Sequence, residues 1–84
     1  MVSETDLMKR ITSDPSIFHG KPIIRGRRMA VEHILSMFAA GETEAEILDS
    51  YPFLEPDDIR ACHLYAYKLA AHERVDPIPT GSAA

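Results

Sequence analysis

Between residues 31 and 74 the apolar positions recur every three or four residues, the spacing of three successive helices. Val31, Ile34, Leu35, Phe38 and Ala39 fall at i, i+3, i+4, i+7 and i+8, which gives a first helix one apolar face, and Gly41 stands where a glycine ends such a helix. Thr43 and Glu46 make a capping-box pair that opens a second helix, with Ile47, Leu48 and Tyr51 on its inner side and Pro52 as its stop. Pro56 suits the first position of a third helix, Asp57 and Asp58 complement its N-terminal dipole, and the pattern runs on to about Arg74.

Ahead of the helices the periodicity changes. Ile23-Ile24 and Met29-Ala30-Val31 each suit a short strand, and Gly26 between them supplies a residue able to take positive φ, so a β-hairpin is predicted there. Residues 1–10 are polar and read as a flexible or weakly helical N-terminus, and Ile11 to Phe18, broken by Asp14-Pro15, as an extended segment and turn. The tail from Val75 to Ala84, with Pro77, Pro79 and Gly81, has too little apolar surface to order itself and reads as flexible. The domain is thus 11–74, mainly α: a three-helix, helix-turn-helix-like (homeodomain- or winged-helix-like) bundle with an N-terminal β-hairpin. No internal repeat is visible.

The third helix carries two apolar stripes. Ile59, Cys62, Ala66, Leu69 and Ala70 form the inward one, while Leu64, Tyr67 and Ala71 gather about 100° or more away. At roughly 18 residues, about 27 Å, this helix would overhang a small core, so the second stripe is read as a dimer or partner surface. The competing reading folds the N-terminal segment over it. A core of this size gives marginal stability alone, which also favours a homodimer.

Charge is distributed unevenly. Up to Val31 six cations face three acids, a balance of +3; from Glu32 onward three cations face ten acids, −7, and the whole chain carries −4. Four of those cations, Lys21, Arg25, Arg27 and Arg28, crowd the hairpin, which marks them as candidate nucleic-acid-binding residues, with a solvated charged turn as the alternative. The Tyr51-to-Glu55 connection between the second and third helices is compatible with a helix-turn-helix, yet Glu55, Asp57 and Asp58 at the start of the reading helix would repel phosphates. The main role in any duplex contact therefore falls to the hairpin.

Chemistry beyond binding is not indicated, and the reading is of a non-enzyme without cofactor. His19, His33, His63 and His72 lack zinc-site spacing with Cys62, a lone cysteine that can make no internal disulfide. No nucleophile elbow, phosphate-binding glycine loop or dinucleotide fingerprint occurs. Glu42, Glu44, Glu46 and Asp49 match a solvated helix face and cap better than a catalytic set. No export signal and no apolar run near the roughly 20 residues of a membrane span is seen, so a cytoplasmic location is expected.

Asp14-Pro15, Gly20-Lys21-Pro22 with Ile24, Gly26, Arg28 and Val31, then Ile34-Leu35, Gly41, Ile47-Leu48, Tyr51-Pro52, Leu54 and Asp58-Ile59 resemble the small bacterial family catalogued as domain of unknown function 433, over roughly Ile11 to Ala70. The resemblance implies a helix-turn-helix-like nucleic-acid-binding fold and an antitoxin paired with a PIN-like ribonuclease toxin. This chain departs from the family in having Gly26-Arg27-Arg28 for the usual Gly-Thr-Arg, and His19-Gly20 for the usual Gly-Gly before Lys21-Pro22. The expectation is a dimeric antitoxin-like regulator that binds duplex DNA upstream of its own gene. The alternative is a protein-interaction module whose basic hairpin blocks an acidic nuclease site.

Overall fold

A computed structural model of the chain describes residues 2–71. Four helices and one small antiparallel sheet follow in the order α1 (Glu4–Met8), β1 (Ile11–Thr12), β2 (Ile23–Ile24), α2 (Val31–Ala39), α3 (Glu44–Ser50) and α4 (Pro56–Ala71). The tail from Val75 and the expected continuation of the last helix to Arg74 lie outside the described residues.

Local sequence chemistry sets the helix boundaries. At the end of α2 the Gly41 N–H bonds to Phe38 O at 2.9 Å and the Glu42 N–H to Met37 O at 3.0 Å, a Schellman closure that places Gly41 at φ 97°. Thr43 caps α3 with the reciprocal pair expected: its Oγ1 accepts from the Glu46 N–H at 3.2 Å, and Glu46 Oε1 accepts from the Thr43 N–H at 2.7 Å. These bonds hold the Glu46 carboxyl below its ordinary pKa. Glu55 occupies the cap position of α4, and there the side chain of Asp58, three residues on, accepts from the Glu55 N–H at 2.9 Å.

The core lies between α2, α3, α4 and the strand segment. Ile24, Met29, Val31, Ile34, Met37, Ile47, Leu54, Ile59 and Cys62 are buried together. Val31, Ile34, Leu35 and Phe38 of α2 and Ile47 and Leu48 of α3 face the core as their spacing requires, whereas Ala39 is exposed and Met37 is buried instead, and Leu54 carries the Tyr51-to-Glu55 turn into the core. On α4 burial is concentrated in the first half, at Asp58, Ile59, Ala61 and Cys62, whereas Ala70 and Ala71 are exposed. The second half of the helix is instead partly covered by the N-terminal segment, with Lys68 paired to Glu4 at 3.4 Å. Within residues 1–10, α1 packs against α4 and buries Leu7.

The hairpin is built differently in one respect. Ile23 and Ile24 pair mainly with β1, in the register Ile11–Ile24 and Thr12–Ile23. The expected Met29-to-Val31 partner is reduced to a single bridge between Ile23 and Ala30, because Val31 already begins α2. The basic reversal is intact all the same. Arg27 N–H bonds to Ile24 O at 2.8 Å across Arg25 and Gly26, whose φ values of 45° and 69° give the type I′ pattern that matches strand twist.

Candidate functional site

Arg25 is the residue most altered by the tertiary structure. Left-handed backbone is unfavourable for any residue with a Cβ, yet Arg25 adopts it and is held by its side chain. Its guanidinium forks onto Asp58, with Nε–Oδ1 at 3.0 Å and Nη2–Oδ2 at 2.9 Å, and Nη2 also donates to Phe53 O at 2.7 Å. Arg10 joins from the end of α1, donating to Asp58 Oδ1 at 3.0 Å and to Glu55 Oε1 at 2.6 Å. Asp58 is 0 % exposed. Burial by itself would raise its pKa, but the bonds from Arg25, the Glu55 N–H and Arg10 outweigh that and hold the carboxyl below its ordinary value.

Two expectations are corrected by this latch. Arg25 was expected to face nucleic acid, but it is turned inward to clamp the tip of the turn to the start of α4. Asp58 was expected to repel phosphates from that helix start, but its charge is buried against two guanidiniums. Glu55 and Asp57 remain more accessible there, with side-chain exposures of 54 % and 29 %.

The other three cations lie on the surface. Arg27 and Arg28 are exposed, and neither has a carboxylate within ion-pair distance among the described residues. The Arg27 guanidinium sits 5.0 Å over the Phe53 ring, a contact that orders the side chain without neutralising it. Lys21 pairs with Glu32 at 3.1 Å in an exposed bridge.

Beside the turn lies an open groove of about 570 Å³ between the Phe18–Gly20 turn and α2. Phe18, His19, Lys21 and Arg28 reach it from one side and His33 and Tyr51 from the other. All three residues of the Phe18–Gly20 turn have positive φ, at 49°, 57° and 83°. His33 Nε2 and Tyr51 Oη lie 3.3 Å apart, and the Ser36 hydroxyl donates to His33 O at 2.6 Å. Sequence reasoning missed Phe18 and Tyr51 as site residues, and weighed His19 and His33 only as metal ligands and His19 as a departure from the family's Gly-Gly. The pointers to this turn were Gly20 and the family's usual glycine where His19 stands, since the left-handed backbone at Phe18 leaves no mark in residue type.

The proposed interface residues Leu64, Tyr67 and Ala71 grade from half-buried to exposed, with Tyr67 at 66 %. Cys62 is fully buried, and desolvation, aided by the nearby Asp58 carboxylate, pushes its thiol up to about 12. That environment suits packing rather than nucleophilic chemistry. His63 packs its ring against Phe38 with centroids 4.7 Å apart and the planes tilted by 57°. No helix among the described residues is long and apolar enough to cross a membrane.

Comparison with known proteins gives a family and no activity. An uncharacterised protein of Sinorhizobium fredii, y4eO, is 36 % identical over 75 residues, covering 86 % of this chain and 34 % of its own length. The chain therefore spans about a third of the curated relative it matches. No solved structure matches it. The family described as "Protein of unknown function (DUF433)" matches residues 11–66, and that match, covering the sheet and nearly all of the α2–α4 bundle, establishes the chain as a member of the DUF433 family.

Proposed function

We propose that this chain is an antitoxin-like regulator that dimerises, binds duplex DNA upstream of its own gene, and neutralises a PIN-like ribonuclease toxin. The observation that carries the DNA part is the exposed Arg27-Arg28 pair on a tight type I′ turn, braced from behind by the Arg25–Asp58 fork. Two exposed cations without carboxylate partners among the described residues, at and just after a tight turn, suit phosphate contact or groove entry. Lys21 adds a third charge at the edge. The α3–turn–α4 arrangement supports the same reading as a helix-turn-helix frame. The family resemblance suggests the toxin role. The Leu64, Tyr67 and Ala71 face of α4 is the surface assigned to the dimer or partner.

The accessible carboxylates of Glu55 and Asp57 at the start of α4 favour a second reading, in which the chain is an interaction module that does not touch nucleic acid and its basic turn blocks the acidic site of a nuclease. Titration against a labelled duplex from the chain's own upstream region, beside a scrambled duplex and at two salt concentrations, separates the two. The regulator binds its own duplex more tightly, and Arg27→Ala/Arg28→Ala lowers both the affinity and the salt slope, by up to about two phosphate contacts. Equal, weak binding to both duplexes, or a slope unchanged in the double variant, refutes the DNA role and leaves the interaction module.

A further inference from the structure

We propose that the groove between the Phe18–Gly20 turn and α2 binds a single unpaired nucleotide, with its phosphate between Lys21 and Arg28 and its base against Phe18. The volume of about 570 Å³ lies within the ~300–1,000 Å³ typical of small-molecule sites. Four basic side chains, those of His19, Lys21, Arg28 and His33, line it against one acid, Glu32. Among the described residues Lys21 makes one ion pair, to Glu32, and an ammonium has three donors, so it can take up a phosphate oxygen while keeping that pair. Arg28 has no carboxylate within ion-pair distance among the described residues.

An anion alone does not account for the rest of the lining. Phe18 is 39 % exposed although the chain has a core to place it in, and Tyr51 also lines the groove. Phe18 and His19 also adopt left-handed backbone, which only glycine takes freely, so both side chains are held in the groove lining against a local conformational preference. Aromatic rings beside paired cations are the features that receive a base and its phosphate. A stacked duplex cannot offer a base to a concave groove, so the ligand is an unpaired nucleotide, either a free mononucleotide or part of a single strand. This goes beyond the duplex-binding reading, with which it shares Lys21 and Arg28, because it rests on the groove and its aromatic lining, which that reading does not use.

The test is an equilibrium titration of the full chain with 5′-AMP, 5′-UMP, inorganic phosphate, and hexanucleotides of adenylate and uridylate, followed by amide chemical shifts. A nucleotide site gives saturable binding of a mononucleotide or a hexanucleotide with shifts confined to residues 18–21, 28–36 and 51. Saturation by a mononucleotide identifies the free ligand as sufficient, and binding of the hexanucleotide alone identifies a strand. Phe18→Ala then weakens binding about 5- to 150-fold, the factor that corresponds to ~1–3 kcal/mol of base stacking. His19→Gly, which suits the left-handed backbone and so keeps the fold, weakens binding without lowering the melting temperature. Arg60→Ala, on the exposed side of α4 and outside the groove lining, leaves it unchanged. Inorganic phosphate binding as tightly as either nucleotide form, unaltered affinity in Phe18→Ala, or no binding to about 10 mM of any probe overturns the proposal.

Discussion

Replacing Asp58 by Ala tests whether the latch between the basic turn and α4 holds the domain together. The carboxylate is 0 % exposed and accepts from Arg25 twice, from Arg10 and from the Glu55 N–H, at distances of 2.9 to 3.0 Å. Removing one partner from a buried ion pair typically costs ~3–5 kcal/mol, since the remaining charge stays desolvated. Here the two arginine side chains are 26 % and 28 % exposed, so water can recover part of the loss. We expect about 2–4 kcal/mol, which lowers the melting temperature of a domain of this size by roughly 10–30 °C. The assay is urea and thermal unfolding followed by far-ultraviolet circular dichroism. Asp57→Ala serves as the control, because Asp57 reaches Arg10 and Arg60 only at 3.9 Å and should lose under about 1 kcal/mol.

If Asp58→Ala loses no more than that control, the latch is dispensable and the reasoning fails. The acid limb provides an independent reading. Asp58 has a lowered pKa in the fold, so the unfolded chain takes up its proton first, and the stabilisation, complete above the ordinary carboxylate pKa of ~3.9, is lost as pH falls through the folded value. Asp58→Asn should therefore flatten the decline in stability below about pH 4.

Thr43→Ala should cost about 1 kcal/mol in the same denaturation assay, as the capping box of α3 is lost, and Glu46→Gln should cost less because an amide oxygen can still accept from the Thr43 N–H. Cys62, buried and with its thiol at about 12, should resist a disulfide reagent at pH 8 in the folded protein and react at once in denaturant; rapid reaction without denaturant would show that α4 opens locally. Gly26→Ala should destabilise by about 1 kcal/mol through its φ of 69°, since open space around it leaves backbone strain as the only cost. Tyr67→Asp should shift sedimentation towards the monomer if the exposed face of α4 is the dimer surface, while leaving the monomer's circular dichroism unchanged.

The sequence by itself determined what short-range chemistry controls. The limits of α2 and α3, the Gly41 closure, the Thr43–Glu46 cap, the start of α4 at Pro56 and the inward stripes of Ile34, Ile47 and Ile59 all depend on residues within a turn or two of one another. Gly26 announced the chain reversal for the same reason.

Only the tertiary structure decided how distant segments meet. Ile23-Ile24 took its main strand partner from Ile11-Thr12 because α2 begins at Val31 and consumes the nearer candidate. Arg25 and Arg10 lie 33 and 48 residues from Asp58, so no local pattern could reveal that a cation counted as free is the counter-ion of a buried acid. The groove likewise draws on three separate stretches, around Phe18, along α2 and at Tyr51. Charge and hydrophobicity are properties of residue types, whereas which charges remain exposed is settled by burial and pairing across the fold.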